Sequence, residues 1–364
     1  MPGFSAFDES CMRRALALAQ LGLYSTDPNP RVGCVIARDE DIVGEGWHRR
    51  AGEPHAETLA LAVAGDRARG ATLYVTLEPC SHHGRTPPCA DAVIKAGVRR
   101  VVCANADPNP RVHGQGNARL HAAGILVNVG LLAADARALN PGFLQRHERG
   151  RPWVRVKLAT SLDGHTALAD GSSRWITGAE ARADVQHWRA RSSVIVTGVG
   201  TVLADDPRLD VRIATNDEAP RQPLRVVLDS AQRTPAGARI LAPPGECWIF
   251  VAAHGKTVAG DARAATRALS ATPNGLDLKE LIAQLAARDA NEVWVEAGPR
   301  LAGGFVASGL ADELLLYVAP RMLGAGARSL IDLPAIGRIE DGARFRFSDV
   351  RQLGDDLRII AVPR

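Results

Sequence analysis

His55-Ala56-Glu57 is followed along the chain by Pro79-Cys80 and then, nine positions after Cys80, by Cys89. One imidazole and two thiolates make the mixed nitrogen and sulfur donor set that zinc accepts. Three protein ligands also leave a fourth position for water, as a catalytic zinc requires. His55, Cys80 and Cys89 are therefore the expected zinc ligands, with Glu57 left outside the set to carry protons. The alternative is a closed structural zinc, with His82 or His83 in the fourth position and Glu57 on the surface. A structural site has no need of a Glu two residues after its His ligand.

For these side chains to meet, the chain must bring three separate segments together. Pro54 suits the first turn of a helix, which would put His55 and Glu57 at its N-terminal end. Cys80, after a strand and a proline, reads as similarly placed, where a helix terminus favours a thiolate. Strands are expected at 32–37, 42–47, 73–77, 100–104 and 125–129, with helices at 7–22, from about 55, at 88–96 and near 131. Such alternation implies a three-layer α/β/α domain.

The order His-x-Glu, then Pro-Cys, then Cys is that of zinc deaminases, in which the Glu moves protons between the attacking water and the leaving amine. Here Ser81 to Pro88 separate the two cysteines, where the short form of the motif has two residues. Glu78-Pro79-Cys80-Ser81-His82-His83-Gly84-Arg85-Thr86-Pro87-Pro88-Cys89 closely resembles the zinc motif of the pyrimidine deaminases of riboflavin biosynthesis. The preceding Pro28-Asn29-Pro30-Arg31-Val32-Gly33 and the following Asp107-Pro108-Asn109-Pro110-Arg111-Val112-His113-Gly114 are similar to that family's other landmarks. The resemblance implies a cytidine-deaminase-like fold, zinc, and contact of Asn29 and Asn109 with the substrate. Each Pro-Asn-Pro fixes a rigid extended turn, and Asn offers a donor and an acceptor suited to a pyrimidinone edge. Both also read as plain turns.

In the second half, strands are expected at 153–158, 193–197, 224–229, 248–252, 293–296 and 314–318, with helices at 180–191, 278–288 and 301–308. This is again an α/β pattern. No G-x-G-x-x-G follows its first strand, so a Rossmann site is not indicated. The residue-level clue is the strand ending at Glu296, then Gly298 and a helix, which would offer backbone N–H groups to a phosphate; it equally reads as a simple turn. Residues 157–164, 172–177, 200–212 and 295–304 resemble the reductase domain of the same bifunctional family, whose fold is dihydrofolate-reductase-like. The resemblance implies NADPH as cofactor, contacted by Thr160, Trp175, Ser230 and Gly298. It puts Ser173, Arg189, Thr201, Asp205, Leu209, Arg212 and Glu296 on the substrate, and makes Lys157 and Asp205 catalytic. Asp205 is the preferred partner for the ring-opening proton transfers that let hydride reach the first sugar carbon. Arg189 and Arg212 suit a bidentate grip on phosphate. Apart from the resemblance, Lys157 reads as a strand-end ion pair and Asp205 as a turn residue.

At 364 residues the chain exceeds one ordinary core, and a junction near 140–152 divides it into an expected deaminase domain, 1–146, and reductase domain, 147–364. No apolar run approaches the roughly 20 residues that span a bilayer, and the start lacks the pattern of a secretory leader, so the cytoplasm is expected. Six cysteines then argue for metal ligation and burial, with Cys11, Cys34, Cys103 and Cys247 as small core residues. The charge of +4 comes from scattered Arg with no aromatic-lined basic face, so a nucleic-acid partner is not expected. The expected partners are a phosphorylated pyrimidine and further copies of the chain in a homo-oligomer. The rivals are a deaminase of nucleosides or nucleic acid with a degenerate second domain, against which the Cys80–Cys89 insert counts, and a zinc-stabilised RNA-binding protein. The activity implied by the resemblance is hydrolysis of the 2-amino group of 2,5-diamino-6-ribosylamino-4(3H)-pyrimidinone 5′-phosphate, then reduction of 5-amino-6-(5-phosphoribosylamino)uracil.

Overall fold

The computed structural model describes residues 3–81, 88–110, 112–213, 220–253 and 264–364. These form two compact units that meet between Gly150 and Arg151.

The first unit contains helices α1 (Ala6–Gln20), α2 (Ala56–Ala64), α3 (Cys89–Ala96), α4 (Gln115–Ala122), α5 (Ala133–Leu139) and α6 (Pro141–Arg149). Its strands are β1 (Gly33–Arg38), β2 (Asp41–Trp47), β3 (Thr72–Val75), β4 (Arg100–Cys103) and β5 (Leu126–Val129). Helix α6 crosses the expected 146/147 junction and stays with this unit. The sheet order is β2-β1-β3-β4-β5; β1 pairs antiparallel with both neighbours, and β3, β4 and β5 are parallel. Because side chains alternate along a strand, β1 sends Cys34 and Ile36 to one face and Val35 and Ala37 to the other. The first pair packs with Ala56 and Ala60 of α2, Val93 of α3 and Leu120 of α4; the second packs with Met12 and Ala15 of α1 and Ala136 of α5. This is the expected three-layer arrangement. Helix α2 lies unusually close to the sheet: a Cβ on Gly46 would stand 2.5 Å from the Ala56 carbonyl oxygen, so only glycine lets α2 settle there.

The second unit runs β6 (Trp153–Ser161), β7 (His165–Ala167), α7 (Ala179–Arg191), β8 (Val194–Gly198), α8 (Val199–Asp205), β9 (Leu224–Leu228), β10 (Cys247–Ala252), β11 (Ala264–Leu269), β12 (Ala271–Thr272) and β13 (Gly275–Leu276). It continues with α9 (Leu278–Ala286), β14 (Glu292–Glu296), α10 (Pro299–Ala307), β15 (Glu313–Ala319), β16 (Arg328–Ser329), β17 (Phe345–Leu353) and β18 (Asp356–Pro363). Nine strands form one sheet in the order β11-β10-β9-β8-β14-β6-β15-β18-β17. It is parallel from β11 to β15 and closes with the antiparallel hairpin β17–β18. Val194 and Val196 pack under α9 and α10, around the fully buried Phe305, while Ile195 and Trp294 pack under α7 and α8. Burying a side chain of that size is worth about 2–3 kcal/mol. Cys11, Cys34, Cys103 and Cys247 are buried free thiols, as expected. Among the described residues no helix is long and apolar enough to cross a membrane.

Candidate active sites

His55 is the N-cap of α2, so Pro54 precedes the cap and does not occupy the first helical turn. The Pro54 carbonyl is instead 3.2 Å from His48 Nδ1. Cys89, not Cys80, opens a helix: it is the first residue of α3, and its backbone N–H donates to Cys80 Sγ at 3.3 Å. His55 Nδ1 lies 3.6 Å from Cys80 Sγ and 3.3 Å from Cys89 Sγ, and the three donor atoms all lie within 4.8 Å of one another. With Zn–S of about 2.3 Å and Zn–N of about 2.0–2.1 Å, a tetrahedral S···N edge measures about 3.6 Å. The trio therefore fits one zinc ion.

The two thiols are pushed in opposite directions, and a hydrogen bond to Cys80 together with burial holds the Cys89 thiol well above its ordinary value. The hydrogen bond from the Cys89 thiol lowers the Cys80 thiol to about 4, against burial and with help from His55 and the Cys89 N–H. A hydrogen bond to Cys80 raises the His55 imidazole. Glu57, in the first turn of α2, is buried beside the trio, and burial raises its carboxyl to about 7.

Asn29 Nδ2 lies 3.0 Å from Nε2 of the buried His48, whose ring meets that of His55 edge-on at 5.2 Å. Asn29 is thus joined to the donor cluster through a histidine that sequence reasoning missed; its only signal was a position one residue past the end of β2. Asn109 sits in a turn where its backbone N–H donates to Asp107 Oδ1 at 2.8 Å. Burial raises Asp107 to about 6. His82 and His83 lie outside the described residues.

In the second unit the expected residues gather at the carboxyl ends of parallel strands, where open α/β sheets bind ligands. Lys157 and Thr160 lie on β6, Thr201 and Asp205 on α8 after β8, Ser230 just after β9, and Glu296 and Gly298 at the end of β14. Lys157 and Glu296 are register partners. Partial burial draws the Lys157 ammonium down, against the opposing pull of Glu296 and Asp205. Glu296 accepts from Arg189 Nε at 2.5 Å and Nη2 at 2.9 Å, and from the indole N–H of Trp294 at 2.7 Å. Burial pushes this carboxyl up, but the Arg189 charge and hydrogen bonds prevail and hold it at about 2.

Arg189 also donates from Nη1 to the Asp210 carbonyl at 3.1 Å. The bidentate edge expected to grip phosphate is therefore occupied within the protein, because Glu296 lies against it in the interior. Of the two expected arginines, Arg212 is the exposed one, anchored with Arg208 on the buried Asp210. Leu209, between these arginines, is buried in a left-handed backbone conformation (φ 47°).

Ser173 lies in the loop before α7 and Ser230 in the turn after β9, and Thr160 Oγ1 donates to the adjacent Ser161 carbonyl at 3.0 Å. Trp175 is 62% exposed, and its carbonyl accepts from Arg321 at 3.0 Å. Gly298 caps α10 with open space where a Cβ would stand, which leaves that helix terminus accessible. Trp294 and Asp210 were not legible in advance. A buried strand Trp looks like core, and an Asp between two Arg looks like a solvated face.

A deaminase-type metal centre on an α/β/α unit, joined to an α/β unit with ligand-facing strand ends, defines a two-domain enzyme. The comparisons agree. Residues 5–105 match the cytidine and deoxycytidylate deaminase zinc-binding region, and residues 152–359 match the RibD C-terminal domain. Riboflavin biosynthesis protein RibD of Escherichia coli is 50% identical over 359 residues, 96% of this chain and 98% of that one. The Haemophilus influenzae protein of the same name is 45% identical over 99% of each chain. The structure of Acinetobacter baumannii RibD superposes with a TM-score of 0.92 at 46% identity, covering 98% of this chain and 99% of that one. A deaminase/reductase from Thermotoga maritima gives 0.88 at 31% identity, with the same coverage.

The chain belongs to the RibD family of riboflavin biosynthesis. It is a bifunctional enzyme with a zinc-binding deaminase domain and an NADPH-dependent reductase domain.

Proposed function

We propose that the unit ending at Gly150 deaminates 2,5-diamino-6-ribosylamino-4(3H)-pyrimidinone 5′-phosphate, and that the unit from Arg151 reduces the resulting 5-amino-6-(5-phosphoribosylamino)uracil. The observation that carries this reading is the convergence of His55, Cys80 and Cys89 within 4.8 Å beside a buried Glu57. His55, Cys80 and Cys89 would hold zinc, which when bound would supply the Lewis acidity that makes water nucleophilic near neutral pH. The Glu57 carboxylate takes a proton from the attacking water and delivers it to the departing 2-amino nitrogen, which leaves as ammonia. Asn29, steadied by His48, and Asn109 orient the pyrimidinone through their amides. Burial around Glu57 keeps bulk water from short-circuiting the transfer.

In the reductase unit Thr160, Trp175, Ser230 and the N–H groups at Gly298 would hold NADPH, which when bound would supply the hydride. Glu296 is pinned as an anion by Arg189 and Trp294, so near neutral pH it stays ionised and orients sugar hydroxyls. Lys157, with its ammonium drawn down, and Asp205 move the ring-opening protons. Arg212 meets the phosphate, while Ser173, Thr201 and Leu209 complete the substrate side.

The domain assignment, a reducing cytoplasmic setting for the six free thiols, a homo-oligomer and the absence of a nucleic-acid partner belong to the same reading. The test is to supply the diaminopyrimidine phosphate with and without NADPH while following ammonia and NADPH absorbance. Ammonia is expected in both cases, with NADPH consumed only after it appears. Glu57→Gln is expected to abolish ammonia release while retaining zinc, and deamination by that variant would overturn the role given to Glu57.

A further inference from the structure

Glu78 stands two residues before the donor Cys80, and no step of the chemistry above uses it. Its side chain is buried, and its carboxylate accepts three backbone N–H bonds, all from one distant segment. Oε2 receives Asp107 at 3.1 Å and Gly114 at 3.0 Å, and Oε1 receives Asn117 at 3.0 Å. Gly114 is the N-cap of α4 and Asn117 its third residue. The first N–H groups of a helix need outside acceptors. Gly114 has no side chain to supply one, and its φ of 72° favours glycine. Glu78 therefore caps α4 from another element, with its negative charge at the positive end of the helix.

Two further contacts fasten the same segments. The Glu78 N–H donates to the Asn105 carbonyl at 2.9 Å, and a Cβ on Gly116 would stand 1.9 Å from the Pro79 carbonyl oxygen. The turn between these anchors is held from inside. Asn109 N–H donates to Asp107 Oδ1, the Asn109 carbonyl accepts from Val112 and His113, and His113 Nδ1 lies 2.9 Å from the Asp107 carbonyl.

We propose that Glu78 is a positioning residue of the deaminase. It ties the turn that bears Asn109 to the segment that bears Cys80, so that the contact with the pyrimidine keeps a fixed place relative to the metal donors. This inference rests on the reading of Asn109 as a substrate contact. The fastening itself does not, which allows the two to fail separately.

The test compares full-length Glu78→Gln, Asn109→Ala and the double variant with the parent enzyme, each loaded with zinc. Gln keeps one acceptor oxygen, and in either amide orientation its NH₂ faces at least one of the three N–H donors, so at least one of these bonds is lost. Amide hydrogen exchange at Asp107, Gly114 and Asn117 is expected to quicken at least about tenfold. Zinc content and NADPH oxidation with pre-deaminated substrate are expected to stay at parental levels. KM for the diaminopyrimidine phosphate is expected to rise about tenfold with a smaller change in kcat, and the double variant to rise by less than the product of the single effects. Gly116→Ala, which presses on the same junction from the helix side, is expected to raise KM likewise should Glu78→Gln not fold.

Unchanged exchange at the three amides would overturn the fastening. Fully multiplicative KM effects, or zinc loss as the sole cause of lost activity, would overturn the positioning role. An unchanged KM in Asn109→Ala would instead remove the substrate reading of Asn109 and leave the fastening to the exchange data.

Discussion

Glu296→Gln tests how the reductase site is held together. The parent carboxylate takes both Arg189 bonds and the Trp294 indole N–H, and the side chains of the ion pair are only 10% and 11% exposed. Holding the carboxyl at about 2, against 4.5 for an ordinary Glu, corresponds to about 3 kcal/mol in favour of the folded anion. Because the folded value is the lower one, this contribution is present in full above the unfolded value of 4.5. It fades as pH falls from there toward about 2. Gln keeps the shape but leaves the Arg189 guanidinium buried without its counter-charge, a loss of about 3–5 kcal/mol for a buried pair. Urea unfolding followed by tryptophan fluorescence reads the second unit, since Trp47 alone of the six tryptophans precedes Arg151. At pH 7 the variant is expected to be less stable by about 3 kcal/mol, with the gap closing substantially by about pH 3. A gap that is absent at pH 7, or equally large at both pH values, would refute the assignment of Glu296 as a pinned anion.

Gly46→Ala is expected to push α2 off the sheet, with a cost of about 1–3 kcal/mol for overpacking and weaker zinc retention in chelator competition; an unchanged midpoint and unchanged retention would count against the close approach at the Ala56 carbonyl. Asp8→Asn is expected to destabilise the first unit by about 2–4 kcal/mol in thermal unfolding, because the buried carboxylate accepts from Arg100, Tyr74 and the Ser5 N–H. Chelation of the metal is expected to stop ammonia release while sparing NADPH oxidation with pre-deaminated substrate, and parallel loss of both would show that zinc serves more than the deaminase unit.

Much of this architecture was written in local pattern. Cys34 to Ala37 alternate between two buried faces, and runs such as Val194–Val196 and Val293–Val295 announce strands covered on both sides. The donor trio was legible because few residue types bind zinc and their order is distinctive. Other features depend on contacts between distant segments. Strand β18 was missed because its alternation is inverted at one position: Arg358 points inward to Asp184 and Asp349, while Leu357 is 40% exposed. Its partner β17 is an exposed edge strand with no buried face to signal it. The short helix α4 has a weak apolar stripe and takes its cap from Glu78, well before it in the chain. Arg189 looked free for phosphate because nothing local marks Glu296 as its partner.

The central claim is that one imidazole nitrogen and two thiolate sulfurs share a single zinc ion whose remaining position stays open to water. Metal analysis combined with zinc X-ray absorption on the purified full-length enzyme measures this directly. The account predicts one zinc per chain, with one nitrogen from His55, two sulfurs from Cys80 and Cys89, and one exchangeable oxygen in its shell. A fourth donor from the protein, or a shell that keeps both sulfurs after Cys89→Ser, would contradict it.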